Sequence, residues 1–427
     1  MLSIFVLLNI SLFLLSLKLN RSVYNPLFLF LIPWTIAAAA LFVSDFDYNP
    51  GSPAYLYFAF GSILFFAGCV LGFGKITNNE SLNFKTKAIF KPNYPFLLLL
   101  ILIQIAALCL ILVSFRSSIS SDFGENAVWT YLGSQEESET VDPSAYLRNV
   151  VSATSIVLIL FYRWIDYKEK QNYRIVMIVE ILIYTALTIT RLTRSGILLA
   201  AFPLLFSLFI ATEKGDKFIF RTLMFSSAVF LVYFCLYSQM KYWYLYTGKD
   251  FITVSLNQLS GYLSGGIVAF QKVFDGNLFP RLNGANTFRF FLAIGDKLFG
   301  TQNATELIQQ YTYIGGSSFE ITNVYTFYHW YVCDFGLWFG LFMQFICGLF
   351  HGTLYKYLHR GSMYGAFFYC YFSGVLFMQF MSDLYFSTMS NWVQISIAGV
   401  AVIGLHRLLW MTPVSEMSLE DSSTEGK

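Results

Sequence analysis

The chain has 427 residues, of which 56% are hydrophobic and 12% carry a charged side chain. A soluble globular domain carries about 25% charged residues, so this composition excludes an ordinary soluble protein and predicts one that crosses a membrane many times. The net charge of +2 indicates no particular partner, and we expect no nucleic acid to bind.

Eleven apolar runs approach the roughly 20 residues that a helix needs to cross the hydrocarbon. In chain order they are Leu2–Leu17, Tyr24–Ser44, Ala54–Gly74, Pro95–Phe115, Asn149–Ile165, Ile175–Thr190, Ser195–Thr212, Phe218–Ser238, Phe327–Phe350, Tyr364–Ser382 and Asn391–Met411. The first run lacks a preceding basic region and a small-residue cleavage site, so we interpret it as a membrane helix rather than a removed signal peptide. The sequence therefore predicts an all-α polytopic membrane protein with about eleven transmembrane helices in one domain, residues 1–411.

Lysine and arginine concentrate in every second loop, and such loops lie on the cytoplasmic side of a membrane. The intervening loops are acidic, with Asp45 and Asp47 in one and several glutamates between residues 136 and 142 in another. This alternation predicts an N-terminus on the outer side of the membrane and a cytoplasmic C-terminus, which agrees with an odd number of helices. The polar tail, residues 412–427, is predicted to be disordered in the cytoplasm.

Two of the predicted outer loops are long, covering about residues 116–148 and 239–326. The larger one is basic and is long enough to hold helices of its own. Its stretch Phe288–Phe299 is amphipathic, which is typical of a helix that lies in the membrane interface with its rings buried.

A very short break between two apolar runs reads TRLTRSG and contains Arg191 and Arg194. The charge pattern places it on the outer side, where arginines are unusual. Because a planar guanidinium matches phosphate oxygens bidentately, the pair is suited to a diphosphate. Backbone N–H groups of Ser195 and Gly196 would add to such a site. The alternative is that both side chains extend to the headgroups and bind lipid phosphate without specificity.

The large loop runs into a segment, NVYTFYHWYVCDFGLWFG, that carries further polar side chains. If it is helical throughout, Asn323, Thr326, Trp330 and Asp334 share one stripe. Asp334 would then lie just inside the outer boundary of the membrane, where a carboxylate usually faces a cavity.

His329 and Asp334 are therefore candidates for proton handling or substrate orientation. The alternatives are an interfacial histidine satisfied by a headgroup or carbonyl, and an aspartate that serves as a structural cap or ion-pair partner. The spacing of Gly336 and Gly340 indicates close helix packing more than catalysis. We interpret Glu180, inside the sixth run, as structural, and Asp383 as a residue at the membrane boundary.

Nucleotide-binding and zinc-protease motifs are missing from the sequence, and the six cysteines suggest neither a disulfide framework nor a zinc site. We therefore expect no metal and no cofactor. Chemistry on the outer face would have to use an activated substrate that the membrane delivers.

An arginine motif that opens a helix, followed by a large outer loop and an N-x-Y-T…D-F-G-x-x-G segment, resembles the bacterial oligosaccharide repeat-unit (O-antigen, Wzy-type) polymerases. Here Asn323, Tyr325 and Thr326 match the first part of that segment. Gly340 comes one residue later than the pattern requires. The family's loop spacing R-x10-G is matched by Arg289 with Gly300, whereas Arg281 has no such glycine.

The resemblance implies a metal-independent glycosyltransferase of the bacterial inner membrane that works at the periplasmic face. It would polymerise oligosaccharide repeat units linked to undecaprenyl diphosphate, among membrane lipids and with a chain-length regulator protein as partner. By the same likeness, the diphosphate would be bound by Arg191, Arg194, Arg281 and Arg289. The acceptor hydroxyl in such a reaction needs a general base, for which His329 is the first catalytic candidate and Asp334 the second. The alternatives are an O-antigen ligase, a flippase for lipid-linked oligosaccharides, and a scaffold subunit of a polysaccharide assembly complex.

Overall fold

The computed structural model describes residues 1–42, 51–74, 91–120, 143–190, 194–212, 216–242, 251–274, 283–304, 312–315 and 321–409. Helices make up most of these ranges: α1 (Leu2–Leu19), α2 (Pro26–Ala40), α3 (Ser52–Phe73), α4 (Tyr94–Ser120), α5 (Pro143–Phe161), α6 (Lys170–Ile189), α7 (Arg194–Thr212), α8 (Asp216–Tyr242), α9 (Phe251–Phe274), α10 (Arg289–Phe299), α11 (His329–Phe335), α12 (Leu337–His359), α13 (Met363–Phe377) and α14 (Met389–Leu409). A two-stranded antiparallel hairpin joins β1 (Thr312–Tyr313) to β2 (Ile321–Thr322).

Seven helical stretches in the described ranges are long and apolar enough to cross a membrane. They are Leu2–Leu19, Ser52–Phe73, Tyr94–Ser114, Ser144–Trp164, Tyr167–Ile189, Lys217–Leu236 and Leu337–His359, and α2, most of α7 and most of α14 add shorter apolar helices. The predicted helical architecture is therefore confirmed, and the seven long apolar stretches agree with a multi-pass membrane protein. Each of the eleven predicted runs overlaps a helix, while the number that cross and the side that each end faces stay predictions.

The segment Asn323–Gly340 is not one helix, and the predicted stripe from Asn323 to Asp334 is wrong. Residues 323–326 continue from β2 without helical structure, and the helix begins only at His329. It ends at Gly336, whose φ of 89° and ψ of 177° are open to glycine but strained for other residues. The candidate membrane helix then starts at Leu337, ten residues later than the predicted start at Phe327.

The described chain falls into two compact units. Unit 1 contains Met1–Leu82, Gly215–Lys356 and Phe372–Ser390, and unit 2 contains Asn83–Lys214, Tyr357–Tyr371 and Asn391–Lys427. Each is described separately below.

The core of unit 1 is a cluster of aromatic rings around Tyr328, which is fully buried. Its ring centroid lies 5.1 Å from that of Tyr57, 5.8 Å from Phe58 and 6.0 Å from both Trp34 and Phe270. Aromatic pairs at these separations add to the stability that burial of their surface provides. The cluster joins α2, α3 and α9 to the residues just before α11.

Helix α9 belongs to the predicted large outer loop, yet it packs directly against two of the apolar helices. The Ser264 hydroxyl donates to the carbonyl of Ala37 in α2 at 3.0 Å. The Gln271 side chain accepts from the N–H of Gly51, the residue before α3, at 3.0 Å. The prediction that this loop holds its own helices is confirmed, and α9 is an integral part of unit 1.

Helices α3 and α12 approach each other so closely that only glycine fits between them. A Cβ built on Gly68 would lie 2.3 Å from the carbonyl oxygen of Phe345, and one on Gly348 would lie 2.2 Å from that of Phe65. Gly72 and Gly352 make equally short approaches one turn further along. Each helix thus presents two glycines four residues apart, the small-residue spacing that brings membrane helices together.

Unit 2 is built around α4, α5, α6 and α7, which bury two apolar layers between them. One layer contains Ala107, Ile111, Val151, Ile183 and Leu187. The other contains Ile159, Met177 and Ala211.

Two buried tyrosines lie across these helices. The Tyr173 hydroxyl donates to the carbonyl of Leu158, and the Tyr184 hydroxyl donates to that of Ala200, both at 2.9 Å. Each phenol therefore joins α6 to a neighbouring helix.

Candidate functional site

Asp334 connects the end of α11 to the segment that leads into α10. Its Oδ1 accepts from the Asn286 side-chain amide at 3.0 Å, and its Oδ2 accepts from both the backbone N–H and the hydroxyl of Thr287 at 2.7 Å. The residue is 2% exposed. A buried carboxylate that accepts three hydrogen bonds is firmly held and holds its donors in turn.

The segment before α10 turns sharply, because Asn283 and Gly284 both have positive φ angles of 47° and 92°. Phe288, at the start of α10, packs its ring 5.8 Å from that of Phe335 and 6.5 Å from that of Phe386. Phe335 directly follows Asp334 in the chain. The first residue of α10, Arg289, is therefore positioned by an anchored backbone and by ring contacts with two other segments of unit 1.

Helix α10 confirms the predicted helix at Phe288–Phe299, and none of its side chains is buried. Leu298 and Phe299 are 72% and 79% exposed. Asp296 closes its end by accepting from the Thr301 hydroxyl at 2.5 Å and from the N–H groups of Asn303 and Ala304. These hydrogen bonds, that of Thr301 foremost, hold the pKa of Asp296 below its usual value.

His329 lies on the first turn of α11 and is 1% exposed. Its ring stacks on Tyr325, with centroids 4.1 Å apart and an interplanar angle of 14°, and lies 4.3 Å from the ring of Trp330. Burial disfavours the imidazolium and lowers the pKa of His329 to about 3. The ring is therefore neutral at pH 7.

A second buried carboxylate, Asp383, lies between α13 and α14 and is 2% exposed. Its Oδ1 accepts from the Tyr331 hydroxyl and from the N–H of Tyr385, both at 2.9 Å. Burial raises the pKa of Asp383 to about 6, against the opposing effect of these hydrogen bonds. Our interpretation of Asp383 as a simple boundary residue missed these contacts.

The Tyr385 hydroxyl connects the hydrogen-bonded residues around Asp383 to α12. It accepts from the Gln379 amide at 2.9 Å, and it lies 2.8 Å from Nε2 of His351. Gln379 accepts in turn from Gln344 at 3.0 Å. Gln344 and His351 are seven residues apart and share one face of α12, so a helical reading of that run could have shown a polar stripe on an apolar helix.

The remaining predicted residues of this segment have structural environments. Tyr325 and Thr326 are buried and Asn323 is half-buried. Gly336 interrupts the helix and has open space at the position of a Cβ, so it is not a packing glycine. Gly340 is one, because a Cβ there would meet the Tyr57 hydroxyl at 2.4 Å.

The predicted phosphate-binding arginines are described unequally. Arg191 and Arg281 lie outside the described residues, and Arg194 is described only as the first backbone position of α7. The side chain of Arg289 is half-buried. Arg194 belongs to unit 2, whereas Arg289, His329 and Asp334 belong to unit 1.

Over the ranges that the structure describes, no three His, Cys, Asp or Glu side chains lie together as metal ligands would. Comparison with protein-family models, with curated proteins and with solved structures finds no match to this chain.

Proposed function

We propose that this protein is a membrane glycosyltransferase that polymerises oligosaccharide repeat units carried on undecaprenyl diphosphate. The bacterial inner membrane and its periplasmic face are part of this proposal, as are the lipid-linked substrate and a chain-length regulator as partner. The multi-pass helical architecture supports it in general terms, because a polyprenyl-linked substrate is reached from within a membrane.

The observation that carries the proposal is the link between Asp334 and Thr287. It joins two segments that the sequence had singled out separately, the D-F-G segment and the basic loop, across 47 positions of the chain. Arg289 follows Thr287 by two residues and opens α10. A guanidinium that is held at the start of a helix is suited to bind a phosphate, because its planar fork matches phosphate oxygens bidentately.

In the proposed reaction, a hydroxyl of the incoming repeat unit attacks the anomeric carbon of the growing chain. The new glycosidic bond forms as the bond to the diphosphate oxygen breaks, so undecaprenyl diphosphate leaves with the electron pair. Arginines preset at the diphosphate stabilise this charge without a metal. We propose Arg191 and Arg194 for that role, and Arg289 and Arg281 of the loop as separate candidates, and we expect inversion at the anomeric carbon.

The attacking hydroxyl loses its proton to a base, for which a pKa near the working pH is best. Both oxygens of Asp334 are occupied by donors, so we propose Asp334 as a positioning residue. His329 is neutral but weakly basic, since burial lowers its pKa to about 3. Asp383 has a pKa of about 6, but it is as deeply buried as Asp334, and its two oxygens likewise accept three hydrogen bonds. We therefore propose His329, which is uncharged and able to accept a proton, as the base.

Replacement of Arg191 and Arg194 by alanine tests the proposal. The purified chain is reconstituted in vesicles with undecaprenyl diphosphate-linked oligosaccharide, and products are resolved on a gel. We expect a ladder of polymer from the native chain and a loss of about 100-fold or more from the double variant, comparable to removal of a preset transition-state donor. Arg174→Ala, an exposed arginine at the start of α6, is the matched control and should leave the ladder unchanged.

The products of this assay distinguish a polymerase from the alternative functions, a ligase and a flippase. A normal ladder from Arg191→Ala with Arg194→Ala would contradict it. If the native chain makes no ladder but transfers glycan to lipid A core, the protein is a ligase. If it only moves the intact lipid across the vesicle membrane, it is a flippase.

A further inference from the structure

Three polar side chains of unit 2 occupy the middle of three separate candidate membrane helices. Gln104 is the central residue of Tyr94–Ser114, Ser155 lies one residue from the centre of Ser144–Trp164, and Glu180 lies two residues from the centre of Tyr167–Ile189. They are 3%, 0% and 0% exposed. Polar side chains at this depth are expensive and commonly mark ion or substrate sites.

The three side chains are in direct contact. The Gln104 amide nitrogen donates to Oε2 of Glu180 at 3.0 Å and to the Ser155 hydroxyl at 3.1 Å. Ser155 also hydrogen-bonds the carboxylate. One residue from each of α4, α5 and α6 thus contributes to a single polar cluster.

Apolar side chains lie along the helices in both directions from this cluster. One turn further along α4 and α6, Ala107 and Ile183 belong to one apolar layer. In the opposite direction along α6, and one turn further along α5, Met177 and Ile159 belong to the other.

Two side-chain oxygens of the cluster accept no hydrogen bond from the described residues. Oε1 of Glu180 and Oε1 of Gln104 are buried and have no hydrogen-bond partner among the described residues. Buried acceptors of this kind are normally satisfied, since an unmet one costs about 1–3 kcal/mol.

Within α4–α7, the sequence offers Glu180 no basic partner at this depth. Glu180 is the only acidic residue of α4–α7, and their ionisable side chains other than Glu180 are phenols, thiols or residues nearer the helix ends: Tyr94, Cys109, Arg116, Tyr146, Arg148, Lys170, Tyr173, Arg174, Tyr184 and Arg194. Arg163, just after α5, donates to the carbonyl of Ile210. The hydroxyls of Tyr173 and Tyr184 donate to backbone carbonyls.

We propose that Gln104, Ser155 and Glu180 form a binding site for one monovalent cation, a proton or Na⁺, in the middle of unit 2. A single carboxylate needs one positive charge to be tolerated in an apolar interior. Carboxylate, amide and hydroxyl oxygens are hard ligands that suit both of these cations. The inference does not depend on the proposed function, since it uses other residues and another unit.

Dicyclohexylcarbodiimide, an apolar reagent for protonated carboxyl groups, tests the site in the intact purified chain. We expect covalent modification of Glu180, identified by mass spectrometry of its peptide. Its rate should fall about tenfold per pH unit once the carboxyl ionises. If Na⁺ is the bound cation, replacing choline by Na⁺ at fixed pH should also slow the reaction; if only a proton binds, Na⁺ should have no effect.

Variants separate a binding site from a structural carboxyl. Glu180→Gln should abolish the modification, and Ser155→Ala should shift its pH midpoint or its Na⁺ response. Thr154→Ala is the matched control, because its buried hydroxyl donates within α5 to the carbonyl of Val150 and is not part of the cluster. No modification of Glu180 in the native chain, or a rate that ignores both pH and Na⁺, would overturn the proposal. So would an unchanged midpoint and Na⁺ response in Ser155→Ala.

Discussion

Two aspartates of unit 1 have the same number of donors and opposite environments. Asp334 and Asp296 each accept hydrogen bonds from three groups, but Asp334 is 2% exposed and Asp296 lies at the exposed end of α10. Water can replace a lost hydrogen bond only at the exposed residue. The free-energy cost of weakening the acceptor should therefore differ between them, although the local geometry is similar.

We expect Asp334→Asn to lower the free energy of unfolding by about 1–3 kcal/mol, because the new amide turns a donor toward Thr287 or Asn286 in a buried setting. Asp296→Asn, the matched control, should change stability little. Thermal unfolding in detergent measures both. Equal effects of the two substitutions would mean that the link between Asp334 and Thr287 is not a buried anchor.

Sequence reasoning at this scale found Asp334 and His329 but not their partners. An acidic residue after an aromatic run can be recognised in the sequence alone. Thr287 lies 47 positions away and is uncharged, so nothing in the sequence links it to Asp334. Asp383 and His351 form part of a network through Tyr385, and none of its members is unusual by itself. Contacts between residues distant in sequence were the part that could not be predicted.

At the scale of elements, hydropathy predicted the helices well because it reports a local property. Every predicted apolar run overlaps a helix in the described ranges. Hydropathy did not predict the break between α11 and α12, which depends on the backbone angles of Gly336. In the sequence, Gly336 looks like an ordinary packing glycine. The packing glycines of α3 and α12 have the same four-residue spacing, so spacing alone did not separate the two roles.

Alanine at Gly348 tests the close contact of α3 with α12. Its methyl group would overlap the carbonyl of Phe65, so we expect a loss of about 1–3 kcal/mol from overpacking. Gly295→Ala, in α10, is the matched control, since no atom lies within 4 Å of its Cβ position. There the better helix propensity of alanine should stabilise the chain by up to about 1 kcal/mol.

A lower unfolding temperature for Gly348→Ala and a higher one for Gly295→Ala would support this packing of α3 against α12. A stabilising effect of Gly348→Ala would show that the two helices have room between them, which contradicts the contact.

At the scale of the whole molecule, the sequence predicts which side each loop faces. Tyr167 precedes α6 in a basic loop and is 86% exposed, and Gln302 follows α10 in the long loop of residues 239–326 and is also exposed. The alternation of basic and acidic loops along the chain predicts the cytoplasmic side for the first residue and the outer side for the second.

A membrane-impermeant maleimide applied to intact cells should label Gln302→Cys and not Tyr167→Cys. Both should react once the cells are broken. The unsubstituted chain corrects for its six cysteines. Labelling of Tyr167→Cys alone in intact cells would reverse the predicted orientation and move the proposed chemistry to the cytoplasm.

The interruption at Gly336 lies between two helices of unit 1 that are held in different ways. Beyond it, α12 packs backbone to backbone against α3, so α12 has little freedom to tilt. Before it, the buried helix α11 contains His329, and Asp334 in the same helix holds the segment before α10 through its hydrogen bonds to Asn286 and Thr287. A side chain at residue 336 would meet no atom within 4 Å but would strain the backbone, so a substitution there should disturb the junction of α11 and α12 while leaving the packing around it unchanged.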